Sequence, residues 1–277
     1  MASKIFAPDL LAGQVALVSG GGSGLGRAAA LELASLGAHV VVCGRRLEPL
    51  EETVARCEEG CCSALTCDIR ERGQVADMLD AVLERHCRID VLLNNAGGQY
   101  MAPAESISPK GFRTVARLNV EGTQTMCQEV AERAMLGQGS GTIVNVTLSP
   151  HNGLAGMAHS SSARAAVEGL TKQLAAEWGP SGVAVVALAA GHFATETLMT
   201  KYPKVIVDGV ARTVPLQRLG SEEEFAWTVA LLASPAGAAL SGSVVTIDGA
   251  RDNNFGPWPP PGATDDQGSP VSEQRRG

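Results

Sequence analysis

Val15-Ala16-Leu17-Val18-Ser19-Gly20-Gly21-Gly22-Ser23-Gly24-Leu25-Gly26 is the stretch on which the fold turns. Its first five residues read as a buried strand, and from Leu25 onward Leu25, Ala29, Leu33 and Leu36 recur at helical spacing. A glycine-rich turn between strand and helix is informative in a way that a lone glycine run is not. Gly20 permits the tight turn, Gly24 lets the backbone approach a diphosphate, and Gly26 lets helix and strand pack closely. Gly22, Ser23 and Leu25 complete the cradle, whose helix end attracts negative charge. The bland alternative, a flexible loop, requires neither the strand nor the helix.

Six further apolar runs follow: HVVVC, SALTC, IDVLLN, GTIVNV, VAVVALA and SVVTID. They are short and nearly continuous in hydrophobicity, as strands covered on both faces are, and helical patterns such as Val75, Met78, Leu79, Val82 and Leu83 separate them. The expected fold is α/β: a Rossmann-type, doubly wound parallel sheet of seven strands with helices on both faces. Residues 1–255 read as one domain. Residues 256–277 are rich in Pro, Gly and charge and read as a flexible tail, with Trp258 in it a candidate contact to a neighbouring subunit.

Composition narrows the class of function. The 277 residues carry a formal charge of −7 and no basic stripe interleaved with aromatics, which argues against a nucleic-acid partner. No apolar run reaches the roughly 18 residues that span a bilayer, and the start MASKIFAPDLL lacks a secretory core, so no membrane association and a cytoplasmic location are expected. Of seven cysteines, Cys57, Cys61, Cys62 and Cys67 crowd together without a histidine or paired Cys-x-x-Cys spacing. Thiols in a reducing compartment are expected there, and no metal site is assigned.

The end of the second strand decides which dinucleotide fits. A site selective for NAD carries an acidic residue there to hold the ribose 2′-hydroxyl. Here Gly44, Arg45 and Arg46 follow HVVVC, so guanidinium groups stand where NADP(H) carries its extra phosphate. A solvated basic turn is the alternative.

The Ser-Gly-x-x-x-Gly-Leu-Gly spacing, Asp68 after the third strand, Asn94-Asn95-Ala96-Gly97 after the fourth and Leu118-Asn119-Val120 resemble the classical short-chain dehydrogenase/reductase family from Leu11 to about Arg251. The resemblance implies that Asp68, with Ile69, meets adenine and that Asn95, Ala96 and Gly97 line the cofactor. It also implies that Gly191, Phe193 and Thr195 meet the nicotinamide amide, and that Asn119 belongs to a catalytic relay. It further implies a homotetramer or homodimer, with the Gly169 helix and the last strand as interfaces, and a mobile lid over Glu196 to Arg212.

The family's Tyr-x-x-x-Lys is absent. Ser160 holds the tyrosine position and Arg164 the lysine position, while the usual serine falls near Thr147, Leu148 and Ser149; the only tyrosines are Tyr100 and Tyr202. Alcohol oxidation needs a base for the hydroxyl proton; a serine hydroxyl is not tuned that far, and arginine stays protonated. Arg164 is expected to hold the ribose and raise the local positive potential. Reduction of a carbon–carbon double bond conjugated to a thioester needs instead donors for a developing enolate, which Ser160 and Asn119 are expected to supply. These departures, with Asn94 to Gln99, Ser106 to Gly111 and His159-Ser160, resemble the branch of peroxisomal trans-2-enoyl-CoA and 2,4-dienoyl-CoA reductases. Unlike those enzymes, the chain closes on Gln274-Arg275-Arg276-Gly277 without a Ser-Lys-Leu-type address, so a bacterial cytoplasm is expected.

The expected activity is NADPH-dependent reduction of an enoyl-CoA, an acyl-CoA-type substrate. Two rivals stay open: an alcohol or carbonyl dehydrogenase whose relay has moved to His159, His192 or Tyr100, and an NADP-binding protein that has lost catalysis. Lys201 and Lys204 are candidate contacts for the coenzyme A phosphates, and Glu168 with Lys172, four residues apart, reads as a surface ion pair.

Overall fold

In strands β1 (Val15–Ser19) and β2 (His39–Gly44), neighbouring residues send their side chains to opposite faces of one sheet, and both faces are buried. Ala16, Val18, Val40 and Val42 enter one core, while Val15, Leu17, Val41 and Cys43 enter the other. The period of two is therefore invisible as polarity, which is why these strands read as unbroken apolar runs.

The computed structural model describes residues 3–201 and 203–254, with the backbone alone of Lys201. The remaining strands are β3 (Cys62–Thr66), β4 (Val91–Asn94), β5 (Gly141–Leu148), β6 (Val183–Ala190) and β7 (Val244–Ile247). All pair in parallel, in the order β3-β2-β1-β4-β5-β6-β7. The order reverses at β1, and the crevice at the carboxyl ends of β1 and β4 is where such sheets bind ligands.

Helices α1 (Gly24–Ser35), α2 (Leu47–Val54), α3 (Arg72–His86), α4 (Pro109–Ala116) and α5 (Gly122–Val130) are followed by a short turn, α6 (Leu136–Gln138), and by α7 (Ala158–Trp178). The last three are α8 (Glu196–Lys201), α9 (Lys204–Arg212) and α10 (Glu222–Ala233). Ala29, Ala30 and Leu33 of α1 join Phe225, Val229 and Ala230 of α10 in the first core; Val75, Met78, Leu79 and Val82 of α3 join Met126 and Val130 of α5 in the second. A fully buried leucine in such a stripe contributes about 2 kcal/mol. Helix starts follow local chemistry. Ser221 and Glu224 form a reciprocal capping box on α10, and Ser108 caps α4 ahead of Pro109.

The seven expected strands are present to within two residues at their ends. The reading of all the cysteines as thiols is corrected: Cys57, just after α2, is disulfide-bonded to Cys62, which opens β3. The turn between them folds back and brings the two Cα atoms to 6.2 Å, within the span a disulfide bridges. Cys43, Cys61, Cys67, Cys87 and Cys127 are free, and no group of three potential metal ligands occurs among the described residues. None of the described helices is long and apolar enough to cross a membrane. The tail, Trp258 and Tyr202 lie outside the described residues.

Candidate active site

The glycine turn is built to admit a ligand's backbone-close approach. Gly20 has φ +69°, and a Cβ there would lie 2.9 Å from Asn95 Nδ2; a Cβ on Gly26 would lie 2.3 Å from the Gly20 carbonyl oxygen. Ser23 makes no side-chain cap on α1, and the first turn of α1 holds no acidic residue, so its N–H groups are available to an anion. Asn95 Nδ2 donates to the Ser19 and Gly20 carbonyls, and Ser19 Oγ accepts from the Asn95 and Ala96 N–H groups. The turn and the loop after β4 are thereby locked together.

The sequence offered no hint of Arg27, one turn into α1. It is buried, and it donates to Thr53 Oγ1, Glu52 and the Gly22 and Pro49 carbonyls, bracing the turn from behind. Thr53 Oγ1 in turn donates to the Gly21 carbonyl.

From this turn a cleft of about 300 Å³ runs along the ends of β1, β2 and β3. Gly20, Gly22, Ser23, Arg45, Arg46, Asp68 and Ile69 line it, with Asn95, Ala96 and Gly97 on the other wall. Arg45 and Arg46 are exposed at its far end. Asp68 is shared with a residue the sequence did not single out: Arg70 donates to both its carboxylate oxygens. The hydrogen bond from Arg70, against a smaller opposing effect of burial, holds the Asp68 carboxyl down to about 2. Because that value is depressed below the unfolded one of about 3.9, the pair stabilises the fold above about pH 4, and the contribution is lost as pH falls through the folded value. Arg70→Met is therefore expected to lower the urea midpoint at pH 5, with the gap to wild type shrinking as pH falls from 4 towards 2. A gap that stays constant over that range would refute the assignment.

A second cavity of about 330 Å³ adjoins the first across Gly97. Leu25, Gly98, Gln99, Thr147, Leu148, Arg164, Ala190 and Gly191 are among its lining residues. Arg164 Nη1 donates to the Val146 carbonyl at 2.6 Å, and desolvation alone lowers the guanidinium to about 10, so it remains a cation at neutral pH. A Cβ on Gly97 would sit 2.2 Å from Arg164 Nη2 and 2.7 Å from Asn119 Oδ1, so only glycine fits between the two cavities.

Several residues singled out in the sequence lie away from the cavity wall. Ser160 is fully buried and does not line the cavity; its Oγ donates to Gln99 Oε1 at 2.6 Å. Because the first turn of α7 is packed under the loop after β4, Gln99 and not Ser160 reaches the cavity wall. Asn119 is likewise fully buried, in a π-helical turn at Arg117–Glu121. Its Nδ2 donates to the Gly98 and Val115 carbonyls and its Oδ1 accepts from the Gly98 N–H, so it pins the loop. The Phe193 ring turns into the core, edge-on to Phe225 at 5.9 Å, under Gly220. Thr195 lies beside the glycine turn, its Cγ2 3.7 Å from a Cβ position on Gly24.

None of the three candidate relocated proton donors lines either cavity. His159 is fully buried beneath Tyr100, ring centroids 4.3 Å apart, while Tyr100 itself faces outward. His192 lies in a separate cavity with Val214 and Leu216, and burial, then Arg251, lowers its pKa. Glu168 does not pair with Lys172: it accepts from Thr147 Oγ1 and contacts His151 Nε2, each at 2.9 Å. Lys204, at the start of α9, is held by Asp208.

A glycine cradle at the switch point, continuous with a cavity lined by a half-buried cation, defines an oxidoreductase that binds a nicotinamide dinucleotide. Residues 14–205 match the family model described as short chain dehydrogenase, and the chain belongs to that family. A peroxisomal 2,4-dienoyl-CoA reductase [(3E)-enoyl-CoA-producing] of Pongo abelii is 37% identical over 252 residues, covering 88% of this chain and 86% of that protein. The solved structure of a citronellol catabolism dehydrogenase (AtuB) of Pseudomonas aeruginosa PAO1 is 42% identical, with a TM-score of 0.81, covering 91% of this chain and 100% of that one. A variant actinorhodin polyketide ketoreductase solved with NADPH aligns at 28% identity and a TM-score of 0.82, over 92% of this chain and 100% of its own.

Proposed function

We propose that the protein reduces the carbon–carbon double bond of an enoyl or dienoyl thioester of coenzyme A, with NADPH as reductant. The observation that carries this reading is the composition of the inner cavity: Arg164 and Gln99 line it, and no phenol does among the described residues.

NADPH, when bound, supplies a hydride to the β-carbon. The chain's task is then to stabilise the charge that develops on the thioester oxygen. Gln99 is suited to this because Ser160 Oγ occupies its amide oxygen, which leaves the Nε2 hydrogens as donors toward the cavity. Arg164 adds a fixed positive charge in a desolvated place, where it acts more strongly than in water. Asn119 acts at one remove, by holding the Gly98 backbone next to Gln99. Gly20, Gly22, Ser23, Gly24, Leu25, Gly26, Asp68, Ile69, Asn95, Ala96, Gly97, Gly191 and Thr195 are proposed to hold the dinucleotide.

The choice of NADPH rests on Arg45 and Arg46 at the open end of the cleft, with no carboxylate at the tip of β2. Arg45→Ala/Arg46→Ala is expected to raise the Kd for NADPH by about 100-fold, roughly 1.4 kcal/mol per guanidinium, and to leave NADH nearly unchanged. Equal losses for both coenzymes, by fluorescence titration, would remove the assignment. A homodimer or homotetramer in the cytoplasm completes the proposal. β7 is a four-residue edge strand that is only partly buried, and Gly169 faces open space on α7, which supports association there.

The test follows coenzyme absorbance, starting from NADPH with 2-enoyl-CoA, 2,4-dienoyl-CoA and ketone panels and from NADP+ with an alcohol panel. Oxidation with the thioesters alone is expected. An alcohol or carbonyl dehydrogenase, favoured by the likeness to the citronellol catabolism dehydrogenase of Pseudomonas, would instead show turnover with the alcohols or ketones. Tight NADPH binding with no turnover anywhere would leave a coenzyme-binding protein without catalysis.

A further inference from the structure

Where β5, β6 and β7 end, a histidine that no motif singled out sits between two carboxylates. His151 lies in the loop after β5; its Nδ1 meets Asp252 of the short helical turn Arg251–Asn253, and its Nε2 meets Glu168 of α7 at 2.9 Å. The backbone N–H of His151 also donates to Asp252, at 2.6 Å, so the imidazole is held from both sides. The side chain of His151 is 32% exposed, whereas that of Glu168 is 13% exposed. Glu168 Oε1 also accepts from Thr147 Oγ1, and Thr147, 3% exposed, lines the inner cavity beside Arg164. The result is an unbroken hydrogen-bonded chain from solvent to the cavity: His151, Glu168, Thr147.

We propose that His151 feeds protons from solvent through Glu168 and Thr147 to the substrate's α-carbon, so that it serves as a positioning and recharging residue for the reduction. The inference rests on the reading of the cavity as an enoyl-thioester site. Addition of hydride to the β-carbon moves the π pair toward the thioester carbonyl and leaves the α-carbon nucleophilic. A C–H bond then forms at the α-carbon as the Thr147 O–H bond breaks. As it breaks, Nε2 of the imidazolium passes its proton to the Glu168 carboxylate, which at rest accepts from Thr147 and carries none of its own; Glu168 hands that proton on to the threonine oxygen, and His151 takes its next proton from water. Two electrons and one proton arrive from the reductant as hydride, one proton arrives along the chain, and no other co-reactant is needed.

Burial opposes a charge on His151, but its hydrogen bonds to Asp252 and Glu168 and the charges of both outweigh it and raise its pKa. The other charged groups at these strand ends are turned elsewhere. Asp248 accepts from Ser149 Oγ and the Asp252 N–H, the Arg251 guanidinium donates to the Thr213 carbonyl, and Arg164 is one turn away on α7, bonded to Val146. The net direction favours the imidazolium, the form that can give a proton to Glu168.

The decisive experiment compares wild type, His151→Asn and Thr147→Val. In wild type, kcat with an accepted enoyl-CoA is expected to fall as pH rises through the raised imidazole pKa. In both variants kcat is expected to be about tenfold or more lower and flat over that range, with KM for NADPH and Tm unchanged. Imidazole added to His151→Ala is expected to restore part of the lost rate. Independently of turnover, NMR titration is expected to place the His151 pKa above the free-histidine value and to bring it down in Glu168→Gln. An alkaline limb that persists in His151→Asn, or a His151 pKa indifferent to Glu168→Gln, overturns the relay while leaving the enoyl-thioester reading intact. A wild-type protein that oxidises no NADPH with any thioester overturns that reading and takes the relay with it.

Discussion

Replacing Arg164 by methionine is expected to lower kcat for NADPH-dependent reduction by at least 100-fold, about 2.7 kcal/mol of barrier, with Tm changed by only a few degrees. Methionine keeps most of the volume and removes the charge. Two consequences follow from the contacts. The positive potential in the inner cavity disappears, and the Val146 carbonyl loses the donor that Arg164 Nη1 supplies at 2.6 Å. The second loss costs roughly 1–2 kcal/mol of stability if water does not replace it. Arg164→Lys separates the two effects: it restores the charge without the planar fork, and an intermediate rate is expected. Single-turnover absorbance reads the chemical step directly. If Arg164→Met turned over at the wild-type rate, the cation would have no part in stabilising the developing oxyanion, and Gln99 would remain as the sole donor proposed.

Gly26→Ala is expected to abolish coenzyme binding and to destabilise the fold by about 1–3 kcal/mol. The added methyl would lie 2.3 Å from the Gly20 carbonyl oxygen, 2.4 Å from Asn95 Nδ2 and 2.9 Å from the Gly20 carbonyl carbon. Two of those three atoms are backbone, so no rotamer change relieves the contact; α1 must move away from the glycine turn. That displacement breaks the Asn95 links to Ser19 and Gly20, on which the shape of the turn depends. Gly73→Ala on α3 is the matched control, because a Cβ there meets nothing within 4 Å, and its stability is expected to stay within about 0.5 kcal/mol of wild type. Coenzyme titration with urea denaturation on both variants checks the pair. Unaltered binding by Gly26→Ala would mean that the turn adapts and that close helix–strand packing does not shape the site.

The stability of the cradle and the chemistry of the cavity meet at the loop after β4. Ser19, Asn95 and Asn119 hold its backbone, and that backbone delivers Gln99 to the cavity wall. On the proposed reading, residues that a motif marks as catalytic act through their neighbours. Ser160 orients an amide and Asn119 fixes a peptide, while the group proposed to meet the substrate carries no motif of its own.

By itself the sequence determined the seven strands, the glycine turn, the basic end of the coenzyme cleft and the absence of a phenol at the usual helix position. Each of those is written in local patterns: hydrophobic runs bounded by turns, glycine where a Cβ does not fit, a residue type four positions from another. Tertiary structure alone decided that Arg27 is buried behind the turn, that Phe193 faces the core, that Cys57 is joined to Cys62, and that Ser160 lies beneath Gln99. It alone also set His151 between Glu168, 17 residues away, and Asp252, 101 residues away. The reason is geometric. Period and composition tell which face of an element is apolar, but which side chains meet across the ends of three parallel strands depends on how their crossovers return, and no local window of sequence contains that distance.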